Sequence, residues 1–187
     1  MLEGHEDLVR MRQLKLFVTN MAQAAASALG FLRGHERVAA AFQDPEVRGR
    51  VDSALTEVFA ALEIAPEFRS IDIEDARVYS REFVGYYSVP DSPDTIDRIL
   101  ADPIRKLQPG ERFLGPALFC LDNDVSPLHI AECIAALLRY VNPGDRGAVR
   151  IQELMESKSS ATVLSELAGL APDSPLIPLV ESHLPAR

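Results

Sequence analysis

An all-α fold is what this sequence predicts, on three observations. Apolar residues recur at three- and four-residue spacing in segment after segment, as in helices that bury one face. Alternation at period two, the mark of a half-buried strand, is missing throughout. The breaks between segments carry helix-stop and helix-start chemistry: Gly34 after the first, Asp44-Pro45 before the third, then Ser92-Pro93, Ser126-Pro127 and Asn142-Pro143. The 187 residues make one helical domain, 1–187, with 1–11 a polar lead-in, long enough to bury a core without staples.

Residues 12–34 organise the chain as one long helix stopped by Gly34. Leu14, Phe17, Val18, Met21, Ala25, Ala28, Leu29 and Leu32 form its broad apolar face, and the small residues 22–28 let a neighbour pack very close. Lys15, Asn20 and Gln23 are the polar exceptions, spread over roughly 140° of the helix wheel. A short second helix covers 35–42. Asp44-Pro45-Glu46 then offers an N-cap, a proline at the first helical position and an early acid. Val47, Val51, Leu55, Val58, Phe59 and Leu62 carry that helix to about Ile64, and Pro66 breaks it. A helix over 71–87 puts Ile73, Ala76, Tyr79, Phe83 and Tyr86 on one side. Ser92-Pro93 opens a short helix through Ile96, Ile99 and Leu100, ended by Asp102-Pro103. Helices over 111–121, 126–140, 143–155, 162–168 and 175–183 complete the expected order.

The totals narrow the function. A formal charge of −9 argues against nucleic-acid binding, which needs basic surface, but leaves room for a small anion in a local basic pocket. No stretch approaches the roughly 20 apolar residues of a membrane span, and the acidic start Met1-Leu-Glu-Gly-His-Glu-Asp is no secretory signal, so a cytoplasmic protein without membrane partners is expected. Cys120 and Cys133 form no close metal or redox pair and lie in apolar helical runs, which predicts buried thiols and no metal site. No Gly-x-Gly-x-x-Gly run occurs, and a βαβ unit needs ~30 residues where fewer than fifteen precede Lys15. A nucleotide-binding domain is therefore not expected within this chain, nor a cofactor bound by it.

The stretch Lys15-Leu-Phe-Val-Thr-Asn-Met-Ala-Gln23 resembles the Lys-x4-Asn-x2-His signature of the polyol-specific long-chain dehydrogenases, and among them the mannitol-1-phosphate 5-dehydrogenases. The similarity continues through Gly30-Phe-Leu-Arg-Gly-His, Asp44-Pro-Glu-Val-Arg, Asp102-Pro-Ile-Arg-Lys-Leu, Gly115-Pro-Ala-Leu and Ile134-Ala-Ala-Leu-Leu to Gly169-Leu170. It covers the chain from about Lys15 onward and matches only the C-terminal, substrate-side half of such an enzyme. The resemblance implies the multi-helical fold of that half, as in mannitol and 6-phosphogluconate-type dehydrogenases, without the N-terminal Rossmann domain.

Read from the residues alone, Lys15 and Asn20 are a solvated lysine at a helix start and an asparagine packed in a core. The resemblance implies more. Oxidation of a secondary alcohol needs a base on the hydroxyl and donors for the developing alkoxide. Lys15 takes the role of base and Asn20 that of oxyanion donor. Gln23 stands in the histidine position, where it can hydrogen-bond but cannot relay a proton. Arg98 and Lys106 match the family's substrate-contacting arginine and lysine, with Arg105 beside them; bidentate arginine plus lysine suits a phosphate. The alternative for these cations is pairing with nearby carboxylates such as Asp97 or Asp102. His5, His35, His129 and His183 match no motif position and read as surface or capping residues.

Two functions follow. One is a stand-alone substrate-domain homologue, repurposed for binding or assembly and without autonomous oxidoreductase activity. The other is the substrate-binding subunit of a split NAD-dependent polyol-phosphate dehydrogenase, completed by a separate Rossmann-type subunit. Either predicts a sugar or polyol phosphate as ligand and an apolar surface covered by self-association or by that subunit, with NAD reaching the site only through a partner.

Overall fold

The computed structural model describes residues 3–90 and 92–186, with side chains from Leu8 onward. Among the described residues there are helices and no strand; the sole β-type pairing is an isolated bridge between Arg37 and Thr95. The expected single helix over 12–34 is longer and interrupted. Helix α1 runs Glu3–Lys15, a π-turn spans Leu16–Asn20, and α2 continues through Met21–Leu32. It therefore reaches back into the expected polar lead-in; His5 lies outside the described side chains.

Helix α2 is the axis of the domain. Its residues from Met21 to Gly30 are all buried, enclosed by α3 (Val38–Gln43), α4 (Pro45–Ile64), α6 (Ile96–Leu100) and α9 (Leu128–Leu138). The run of small residues makes this possible. A Cβ built on Gly30 would stand 2.5 Å from the Ala41 Cβ, so α3 can cross only where α2 has no side chain. After Leu32 the chain turns through a Schellman motif: Gly34 N–H donates to the Phe31 carbonyl and His35 N–H to the Gly30 carbonyl, each at 3.0 Å. Gly34 adopts φ 81°, a left-handed conformation that glycine tolerates best.

Around this axis α4 packs on α8 (Leu114–Asp122) and α9, while α12 (Leu176–Glu181) closes against α9. Helices α10 (Arg146–Ser157) and α11 (Ser160–Ala168) form the far end, with the short α7 (Pro103–Lys106) against α10. The core is one contiguous apolar cluster that includes Cys120 and Cys133, both free and buried.

Several helices start two or three residues later than expected, among them α3, α8 and α10, and two of these shifts have a clear cause. Helix α6 begins at Ile96, not at Pro93, because the Thr95 side chain caps it by accepting from Arg98 N–H at 3.2 Å. Helix α9 begins without a cap of its own: Glu57, on α4, accepts from His129 N–H at 2.7 Å and Ile130 N–H at 3.1 Å. Helix α5 (Ile73–Tyr87) buries Ala76, Ser80 and Val84, a stripe one residue off the expected aromatic one, and leaves Tyr79 and Tyr86 exposed.

Asp44 caps α4 by accepting from Glu46 N–H at 2.9 Å, and it also binds His35 Nε2 at 2.9 Å and Arg33 Nε at 2.5 Å. The hydrogen bonds from His35 and Arg33 hold its carboxyl well below the usual range. A depressed folded-state pKa stabilises above the unfolded value and loses that contribution as pH falls. Asp44→Asn should therefore lower Tm near neutral pH, with a gap to the native chain that narrows progressively below about pH 4. A gap of constant size down to pH 3 in a thermal-unfolding series contradicts this.

Candidate functional site

Lys15 ends α1, Asn20 ends the π-turn and Gln23 lies in the first turn of α2. On an uninterrupted α-helix Lys15 and Asn20 would stand about 140° apart. The π-turn removes most of that angle, because its wider i→i+5 bond, Met21 N–H to the Leu16 carbonyl, brings residues five apart towards one side. The Thr19 hydroxyl also donates to the Lys15 carbonyl at 2.9 Å.

The result is one open cleft of 470 Å³ with Lys15, Asn20 and Gln23 on one wall and Tyr79, Glu82, Phe83, Tyr86 and Tyr87 of α5 on the other. A second cleft of 400 Å³ shares Tyr86 and Tyr87 and continues past Ser92 and Asp94 to Arg98. Side-chain bonds join the two halves of this groove. Gln23 Nε2 donates to Asp94 Oδ2 at 3.2 Å, and Arg98 Nη1 pairs with Asp94 Oδ1. Asp94 is only 7% exposed. Lys15 also edges an apolar recess of 310 Å³ lined by Leu8, Met11, Leu14, Val18, Ala76 and Tyr79.

The structure brings Lys15, Asn20, Gln23 and Arg98 to this groove, and it does not bring Lys106. Lys106 is 2% exposed and donates through Nζ to the Ala101 carbonyl at the end of α6. Burial, with Arg112 and Arg105 nearby, lowers its amine to about 8. Arg105 is held by Glu111 at 2.6 Å and Asp102 at 3.3 Å. The expected convergence of Lys15, Arg98 and Lys106 on one anion is thus not formed: one cation is buried in a turn and another is paired with Asp94.

The profile of the mannitol dehydrogenase C-terminal domain matches residues 7–173. The chain belongs to this family. It is 32% identical over 168 residues to the mannitol-1-phosphate 5-dehydrogenase of Arthrobacter sp. (strain FB24), an alignment covering 90% of this chain and 43% of that protein. Identity is 33% to the enzymes of the same name from Bacillus licheniformis, over 96% of this chain and 47% of the relative, and from Bacillus subtilis (strain 168), over 96% and 46%. The chain therefore spans less than half the length of these relatives.

Within this mannitol dehydrogenase C-terminal domain, sequence reasoning missed Asp94 and the α5 tyrosines. Tyr79, Phe83, Tyr86 and Tyr87 recur at helical spacing, and that pattern was legible, but it reads as core until burial assigns the inner stripe to Ala76, Ser80 and Val84. Asp94 had no signal, since its partner Gln23 lies 71 residues away.

The placement of Lys106 has a consequence for stability. Its folded-state pKa of about 8 lies below that of an exposed lysine, about 10.4, so across that window the unfolded chain binds the extra proton and stability rises with pH. Chemical denaturation at pH 8 and pH 10 should show this gain in the native chain and its loss in Lys106→Met. An equal pH response of the two proteins contradicts it.

Proposed function

We propose that this domain holds a polyol-type ligand in the groove beside Lys15 and Asn20 and is not an oxidoreductase by itself. The observation that carries this reading is the π-turn's convergence of Lys15, Asn20 and Gln23 on one cleft. Alcohol oxidation needs a proton acceptor, donors for the alkoxide oxygen and a hydride acceptor. Lys15 supplies an amine that serves as a base once deprotonated, and the Asn20 amide supplies a donor. Gln23 supports the binding role over turnover, because an amide anchored on Asp94 orients a ligand hydroxyl but cannot carry a proton through the site. A dinucleotide is held by a glycine-rich turn between strand and helix. The described residues offer helices and no strand, so they do not fit that cofactor.

The second reading, a substrate-binding subunit completed by a Rossmann-type subunit, is favoured by the position of Lys15 at the rim shared by the groove and the apolar recess. Leu8 and Met11 line that recess and, like Val9, are exposed, an apolar seat for such a subunit.

Calorimetry with D-mannitol and mannitol 1-phosphate tests the proposal. At least one should bind, and Asn20→Ala should weaken it about three- to tenfold, the effect of one lost hydrogen bond. The isolated chain should form no NADH from NAD and either polyol. Turnover by the isolated chain, or undiminished binding in Asn20→Ala, overturns it.

A further inference from the structure

The charges along the groove bear on which polyol it takes. Among the described residues two cations and two carboxylates line it, Lys15 and Arg98 against Glu82 and Asp94, and their formal charges balance. Recognition of a phosphate dianion relies on uncommitted cationic donors, above all a free arginine fork. Arg98 shares its charge with Asp94: its Nη1 is paired with that carboxylate, although the side chain itself is largely exposed.

Asp94 is also fixed in place. The Val38 N–H donates to its carbonyl at 3.1 Å, Arg37 Nη1 donates to the Ser92 carbonyl at 2.8 Å, and Thr95 beside it bridges to Arg37 and caps α6. With the backbone pinned, the carboxylate can leave Arg98 only by a change of its own side-chain rotamer, which its burial opposes. Gln23 strengthens the hold by donating to the second carboxylate oxygen. What remains is a mixed set of donors and acceptors, Asn20 and Lys15 beside Glu82 and Asp94, with tyrosine rings between. That set matches hydroxyl groups, each of which both donates and accepts.

We propose that Asp94 is the specificity-determining residue of this groove: by neutralising Arg98 it makes the site accept an uncharged polyol at least as well as the phosphate ester. This rests on the polyol-site reading above. It departs from the phosphate preference expected from the sequence.

The test compares dissociation constants for D-mannitol and mannitol 1-phosphate, by calorimetry on the whole chain, for the native protein, Asp94→Asn and Arg98→Met. Asp94→Asn keeps an acceptor for Gln23 and removes the charge. The native chain should bind the two ligands within about threefold of each other, and Asp94→Asn should shift their ratio towards the ester about tenfold, since an uncommitted guanidinium forms a charge-assisted bond. Arg98→Met, at an exposed position, should shift the ratio the other way, which keeps the test decisive if Asp94→Asn misfolds. A native preference for the ester above tenfold, or an unchanged ratio in both variants, overturns the role of Asp94 while leaving the polyol site standing. Failure of both ligands to bind the native chain sinks the site and this proposal together.

Discussion

A helix enclosed on every side must be made of residues small enough for its neighbours to reach it, and this domain depends on that constraint. From Met21 to Gly30 α2 has no solvent face beyond the Gln23 side chain at the cleft, and alanines, Ser27 and Gly30 are what allow α3, α4, α6 and α9 to close around it. Close packing gives such a helix many weak dispersion contacts at once, and it leaves no room for a polar group without a partner. The polar groups here have theirs. Ser27 donates to the Gln23 carbonyl at 2.8 Å, Thr19 to the Lys15 carbonyl, and Gln23 to Asp94.

The site lies where this enclosed helix emerges. The π-turn separates the fully buried alanine segment from α1, whose Leu8, Val9 and Met11 are exposed. Phe17 in the π-turn stacks on Phe119 with ring centroids 5.2 Å apart, and Phe119 meets Phe68 at 5.6 Å. These contacts anchor the widened turn in the core, so the orientation of Lys15 relative to Asn20 is set by packing as well as by the local backbone.

Electrostatics then divides the basic residues by context. Lys106 ends on a backbone carbonyl at a helix C-terminus, a position that suits a cation, and its burial is tolerated by a lowered pKa. Arg98 remains at the groove but meets a fixed carboxylate. Both are basic residues of one short stretch of sequence, and only their surroundings tell a buried structural amine from a paired surface guanidinium.

The sequence by itself determined the main helices and where several of them end, because caps, prolines and apolar periodicity act over a few residues. Gly34 as a left-handed stop, Asp44-Pro45 as a start and Pro66 as a break were all legible for that reason. The motif Lys15, Asn20 and Gln23 was legible too, as a string. What only the tertiary structure decided are the relations between distant segments. The π-turn is one, since a wheel drawn at regular pitch cannot show a local change of pitch. The capping of α9 by Glu57 is another, across 72 residues of chain. The bond from Gln23 to Asp94, across 71, is the one that matters most for the site. Local propensity carries no information about which carboxylate will be packed beside a given amide; only the closure of α3 and α6 around α2 brings them together.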